Sequence, residues 1–151
     1  MLDEKSESIE SQITAELNTV SQSIMDIDTI ITPNLEDTDF ALNTLTSLSG
    51  LFPDTNGFYA GLEDGRYLDG GGWEPDEGWD ARTRDWYIEG KSAKKGVFYT
   101  EPYLDSQTGV TCVSITKALY NNNNFLGVLS FDYDFNIIQQ IITSKISLTN
   151  W

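Results

Sequence analysis

The chain has 151 residues, 24 of them acidic and 9 basic, for a formal net charge of −15. That length suffices for one domain with its own core, and such a surface repels phosphate backbones and anionic lipid, which excludes nucleic-acid binding. There is no histidine, and Cys112 is the single cysteine, so Ser-His-Asp and Cys-His catalysis, the usual His/Cys zinc sets and an intrachain disulfide are excluded.

From Leu2 to Ile31, the apolar residues Ile9, Ile13, Leu17, Val20, Ile24, Ile27 and Ile31 recur at spacings of three and four. That periodicity predicts one long amphipathic helix, stopped by Pro33. At 1.5 Å per residue it reaches roughly 45 Å, the length of a stalk or dimer helix as well as of one lying along its own domain. A shorter helix is expected over Asp39–Leu48, broken by Gly50 and Pro53. Gly57–Leu62 reads as a strand, Glu63-Asp64-Gly65 as a turn, and Arg66–Leu68 as a second strand.

Asp69–Asp80 is glycine-rich and aperiodic, hence a loop. Its Gly70-Gly71-Gly72 run has no following lysine and lacks phosphate-loop spacing, so a nucleotide site is rejected. A helix is expected over Thr83–Ala93, a short strand over Val97–Thr100 and a turn at Thr108-Gly109. Two strands, Val110–Tyr120 and Phe125–Tyr133, are joined by the asparagine tract Asn121–Asn124. A closing helix is expected over Asp134–Ile146. Hairpins with helices on one face predict an α+β fold with an antiparallel sheet. Cys112, within an apolar run, reads as a small core residue.

The chemistry concentrates in Trp79-Asp80-Ala81-Arg82-Thr83-Arg84-Asp85-Trp86-Tyr87 and Glu101-Pro102-Tyr103-Leu104-Asp105. A free amino acid needs two recognition elements of opposite sign. Its carboxylate suits a forked guanidinium and an indole N–H, here Arg84 and Trp86. Its ammonium suits carboxylates, phenol oxygens and aromatic faces, here Asp105 and Asp132 with Tyr87 and Tyr103. The same residues also suit an Arg–Asp structural network among core aromatics. Asp80 and Arg82 read as braces for the loop that leads into the helix.

The run Asp80-x-Arg82-x-Arg84-x-Trp86-Tyr87, then Pro102-Tyr103-x-Asp105, then Gly127-Val128-Leu129-x-x-Asp132, resembles the Cache family of extracytoplasmic sensor domains. More narrowly, it resembles the membrane-distal module of double-Cache amino-acid chemoreceptors. The resemblance implies a PAS-like sheet with a long N-terminal helix packed on it. It also implies a ligand site made of Trp79, Arg84, Trp86, Tyr87, Tyr103, Asp105 and Asp132, with the arginine and tryptophan holding a carboxylate and the aspartates and tyrosines surrounding an ammonium. Trp79 departs from the tyrosine usual at its position: it keeps a flat apolar wall and an N–H donor but has no phenol oxygen.

The resemblance implies a division into an N-terminal stalk or dimer helix (1–33), a PAS-like ligand-binding module (34–134) and a connecting helix (135–151). It implies the extracytoplasmic part of a transmembrane receptor, most simply a chemotaxis receptor, with no catalysis, cofactor or metal. The expected partners are a small amino-acid or amine ligand and a second copy of the chain across the N-terminal helix. Met1 is then expected to be an artificial start, with a second module and a signalling domain outside this chain. Competing expectations are an amine sensor, a histidine-kinase sensor domain, and a ligand-free dimerisation or transmission module.

Overall fold

The computed structural model describes residues 4–94, 96–136 and 139. Helix α1 spans Glu4–Ile31 and passes into a short 3-10 turn, Thr32–Asn34, that contains Pro33. Helix α2 spans Thr38–Ser49, its first turn capped by the Asp37 carboxylate accepting from the Phe40 amide at 3.0 Å. Strands β1 (Phe58–Leu62) and β2 (Tyr67–Asp69) follow, then a 3-10 turn, Ala81–Thr83, and helix α3 (Asp85–Ala93). Strands β3 (Val97–Tyr99), β4 (Tyr103–Leu104), β5 (Thr111–Asn121) and β6 (Asn124–Asp134) complete the order. The closing helix expected over Asp134–Ile146 lies almost wholly outside the described residues.

The strands form one antiparallel sheet in the order β2-β1-β6-β5-β3, with β4 also pairing β5. The two longest strands are joined at Asn122-Asn123, where Asn122 takes the positive φ of 56° that a short amide side chain tolerates.

Strand alternation sends neighbouring side chains to two different layers. On one face, Phe58, Ala60 and Leu62 of β1, Ile115 and Leu119 of β5, and Leu129 and Phe131 of β6 pack against Val20, Ile24, Ile27 and Ile31 of α1. Polar ties fix α1 on that face: Lys117 Nζ meets Asp28 at 2.5 Å, and the Tyr133 hydroxyl donates to Glu16 at 3.2 Å. The other face carries Tyr59, Val128, Ser130 and Asp132, covered by α3 and the segment before it. Two glycines permit that close packing. A Cβ at Gly61 would lie 2.8 Å from the Ala81 Cβ and 2.9 Å from the Trp86 ring, and one at Gly90 would lie 2.8 Å from Val128.

Candidate functional site

The second face of the sheet holds a polar cavity. Asp132, on β6, is its floor. Three hydroxyls converge on one oxygen of that carboxylate: Tyr59 by a short hydrogen bond, Ser114 at 2.6 Å and Tyr103 at 3.5 Å. They come from three different strands, and this is why the network needs the folded sheet. The other Asp132 oxygen has no donor among the described residues. Burial pushes the Asp132 carboxyl up to about 6, against the opposing pull of the Ser114 and Tyr59 hydrogen bonds. Burial also holds the Tyr59 and Tyr103 phenols well above their ordinary value, so both remain donors at neutral pH.

Asp105 sits in the turn between β4 and β5. One of its oxygens is taken by the Thr108 amide at 3.0 Å and hydroxyl at 2.8 Å. Carboxylate oxygens of Asp105 and Asp132 and the Cys112 sulfur lie within 4.8 Å of one another. Burial pushes the Cys112 thiol up to about 12, so it stays protonated and packs as a small core residue, a poor metal ligand.

Arg84 forms the opposite pole. It is the capping residue just before α3, in extended conformation at φ −85° and ψ 151°. The only hydrogen bond of its side chain among the described residues is a weak one, from a terminal guanidinium nitrogen to the Leu104 carbonyl at 3.4 Å. Arg82, two residues earlier, is committed instead. It holds Asp80 at 2.9 Å and the Glu63 carbonyl at 3.1 Å, the structural bracing expected from the sequence.

Aromatic rings wall the space between the poles. Trp86 is buried edge-on to Tyr59, with ring centroids 4.8 Å apart. Trp79 touches Tyr67 at 4.8 Å and Trp73 at 5.3 Å, and its indole N–H reaches Ser106 at 3.4 Å. Six of the seven residues expected from the sequence, Trp79, Arg84, Trp86, Tyr103, Asp105 and Asp132, line this one cavity. Tyr87 does not. Its hydroxyl donates to Glu63 and its ring packs between Trp86 and Phe125, so it buttresses the back of α3. The reason is helical: consecutive residues point about 100° apart, and Trp86 takes the cavity side.

The sequence reading missed Tyr59, Tyr67, Asp69, Trp73, Ser106 and Gln107, which also line the cavity. Tyr59 was findable by alternation, since Phe58 and Ala60 belong to the opposite core. Trp73, a lone indole in a glycine-rich loop, was the other available signal. The enclosed space is only about 10 Å³, room for one water. Beside it lies a groove of about 370 Å³ that shares Asp105 and Asp132.

Chemically, the arrangement offers a cation pocket at Asp132 and Asp105, a forked anion clamp at Arg84, and flat aromatic surfaces between them. No helix among the described residues is long and apolar enough to cross a membrane.

Residues 27–140 match the family described as the methyl-accepting chemotaxis protein-like first PDC sensor domain. A probable methyl-accepting chemotaxis protein of Bacillus thuringiensis is 31% identical over 103 residues, 68% of this chain but 15% of that protein. The chain thus spans a small fraction of the length of that relative. Among solved structures, the ligand-binding domain of Mlp24 with asparagine superposes with a TM-score of 0.77 at 26% identity, covering 91% of this chain and 57% of that one. The ligand-binding domain of the Pseudomonas fluorescens chemoreceptor CtaA in complex with L-alanine does so at 0.74 and 25%, covering 91% and 60%. The Cache-type, PAS-like architecture expected from the sequence is the one found, and the chain belongs to the family of methyl-accepting chemotaxis protein-like first PDC sensor domains.

Proposed function

We propose that this domain is the extracytoplasmic, non-catalytic ligand-binding module of a transmembrane chemotaxis receptor, and that it binds an L-amino acid between Arg84 and Asp132. The observation that carries this reading is the pairing of two incomplete poles across one aromatic cavity. Arg84 has no carboxylate partner among the described residues, and Asp132 is a half-buried carboxylate with one oxygen unspoken for. A zwitterion completes both at once: its carboxylate accepts from the Arg84 fork and the Trp86 indole, and its ammonium donates to Asp132 and Asp105. The amino acids named for Mlp24 and CtaA support the same reading. Residues 1–33 then serve as a stalk and dimer helix, 34–134 as the sensing module, and 135–151 as the connection onward. Binding favours one of two conformations of the module and passes the difference through its helical ends.

The test is a thermal-shift screen against L-amino acids, amines and small carboxylates. A ligand at 100-fold its dissociation constant adds about 2.7 kcal/mol, a shift of several degrees for a domain this size. Stabilisation by L-amino acids supports the reading. Stabilisation by amines alone removes the role given to Arg84, and silence across the screen favours a ligand-free transmission module.

A further inference from the structure

The charges around the cavity do not balance. Asp69, Asp105 and Asp132 line it, against the single guanidinium of Arg84. A zwitterion with a neutral side chain adds no net charge and leaves that imbalance in place. The lining also holds no aliphatic side chain; what it holds is aromatic, charged or polar. A branched apolar ligand side chain would meet ring faces but would leave the surplus carboxylates uncompensated.

One corner of the cavity is built differently from the rest. Tyr67, Trp73 and Trp79 meet edge to face in a mutual triangle, with centroids 4.8, 5.3 and 6.0 Å apart. Asp69 closes that corner, one oxygen accepting from the Tyr67 hydroxyl at 2.5 Å and the other from the Gly71 amide at 2.8 Å, with the Gly72 and Trp73 amides also turned to the carboxylate. Its carboxyl is nevertheless held above the ordinary carboxylate value by burial, so these hydrogen bonds do not offset the lost hydration. Aromatic faces beside a carboxylate are the chemistry that takes a partly desolvated cation. The adjoining groove has the same sign. Besides Asp105 and Asp132 it is lined by Glu16, Asp54 and Asp134, and by no lysine or arginine, which raises the local concentration of cations at its mouth.

We propose that the site selects amino acids with a cationic side chain, the side-chain charge lying against Tyr67, Trp73 and Trp79 beside Asp69. This rests on the amino-acid reading above and adds the ligand class to it. Arg84 and Asp132 hold the backbone groups of the ligand, and the second positive charge reduces the surplus of carboxylates.

The experiment is isothermal titration of this domain with L-arginine, L-citrulline (the same shape without the charge), L-alanine and agmatine (arginine without its carboxylate), repeated with Asp69→Asn. The expected result is L-arginine at least tenfold tighter than L-citrulline, with that ratio falling below about threefold in Asp69→Asn. Should Asp69→Asn fail to fold, the wild type still decides: the arginine affinity must fall more steeply with added sodium chloride than the citrulline affinity. Citrulline or alanine binding as tightly as arginine overturns the cationic preference and leaves the amino-acid reading standing. Agmatine binding as tightly as arginine overturns the carboxylate clamp, and no binding of any amino acid overturns both.

Discussion

Asp132 and Tyr133 are neighbours on β6 and face opposite layers of the domain. The Asp132 carboxylate gathers the hydroxyls of Ser114 and Tyr59 in the cavity, whereas the Tyr133 hydroxyl donates to Glu16 on α1 at 3.2 Å. One strand therefore carries both the floor of the cavity and a tie to α1.

Removing the Tyr133 hydroxyl should loosen the helix and spare the cavity. Tyr133→Phe leaves Glu16 without its partner and is expected to destabilise by about 1 kcal/mol, a drop of roughly 2–4 °C. Ligand affinity measured by titration should stay within about twofold, because the ring that packs beneath α1 is kept. A tenfold loss of affinity would show that the two faces are not separable.

The Lys117–Asp28 pair is the second tie to α1, and both side chains are only 20% exposed. Lys117→Met leaves the Asp28 carboxylate half-stranded against the sheet, a loss of about 2 kcal/mol, less than a fully buried pair would show. Urea denaturation checks it: the midpoint should fall while the slope stays constant. The double change Lys117→Met with Asp28→Leu should recover part of that loss.

Phe131 anchors the larger core, fully buried with ring centroids 4.9 Å from Phe58 and 5.4 Å from Phe52. Phe131→Ala is expected to cost about 3–5 kcal/mol and lower the melting temperature by roughly 10 °C. Ile88→Ala, at an exposed position of α3, should change stability by less than about 0.5 kcal/mol. Equal effects at the two positions would contradict the packing described.

The acidity of Asp132 makes two pH predictions of opposite sign. Burial raises its carboxyl to about 6, with Asp105 opposing its ionisation and the Ser114, Tyr59 and Tyr103 hydroxyls favouring it. The folded chain thus holds this proton more tightly than the unfolded chain does. Ligand-free stability should fall as pH rises from about 4 to 6, by up to about 3 kcal/mol relative to Asp132→Asn. Ligand binding needs the ionised form, so amino-acid affinity should weaken as pH falls below about 6, by roughly tenfold at pH 5. Thermal melts and titrations across that range, wild type beside Asp132→Asn, check both. A flat difference between the two proteins would contradict the account of a carboxyl raised by burial beyond what its hydroxyl partners offset.

Much of the scaffold was legible in the sequence because its elements are long and periodic. Val20, Ile24, Ile27 and Ile31 mark one helix face at spacings that only a helix repeats, and all four are fully buried. Strand β4 was not legible: two residues carry no period, and only pairing with Cys112 and Thr111 defines it. Arg84 and Asp132, singled out by motif and chemistry together, both line the cavity. The wall was found only in part. Every residue of β1 is buried, so its pattern gives no hydrophobic contrast, and Tyr59 is assigned to the cavity only once its neighbours are seen in the opposite core. Asp69 and Trp73 lie where a strand runs into a loop, and loop geometry is set by contacts that sequence spacing does not encode. Conversely, Tyr87 shares a motif with Trp86 yet faces Glu63 and Phe125, because adjacent helical positions cannot share one direction.

The most direct test of the central claim is a titration of the best-stabilising L-amino acid and its decarboxylated counterpart into the wild-type domain and into Arg84→Ala. The account predicts that the wild type favours the amino acid by at least tenfold and that Arg84→Ala loses this preference, as expected when a charge-assisted pair worth about 1.5–3 kcal/mol is removed. An undiminished preference in Arg84→Ala, or none in the wild type, would contradict the carboxylate clamp on which the reading stands.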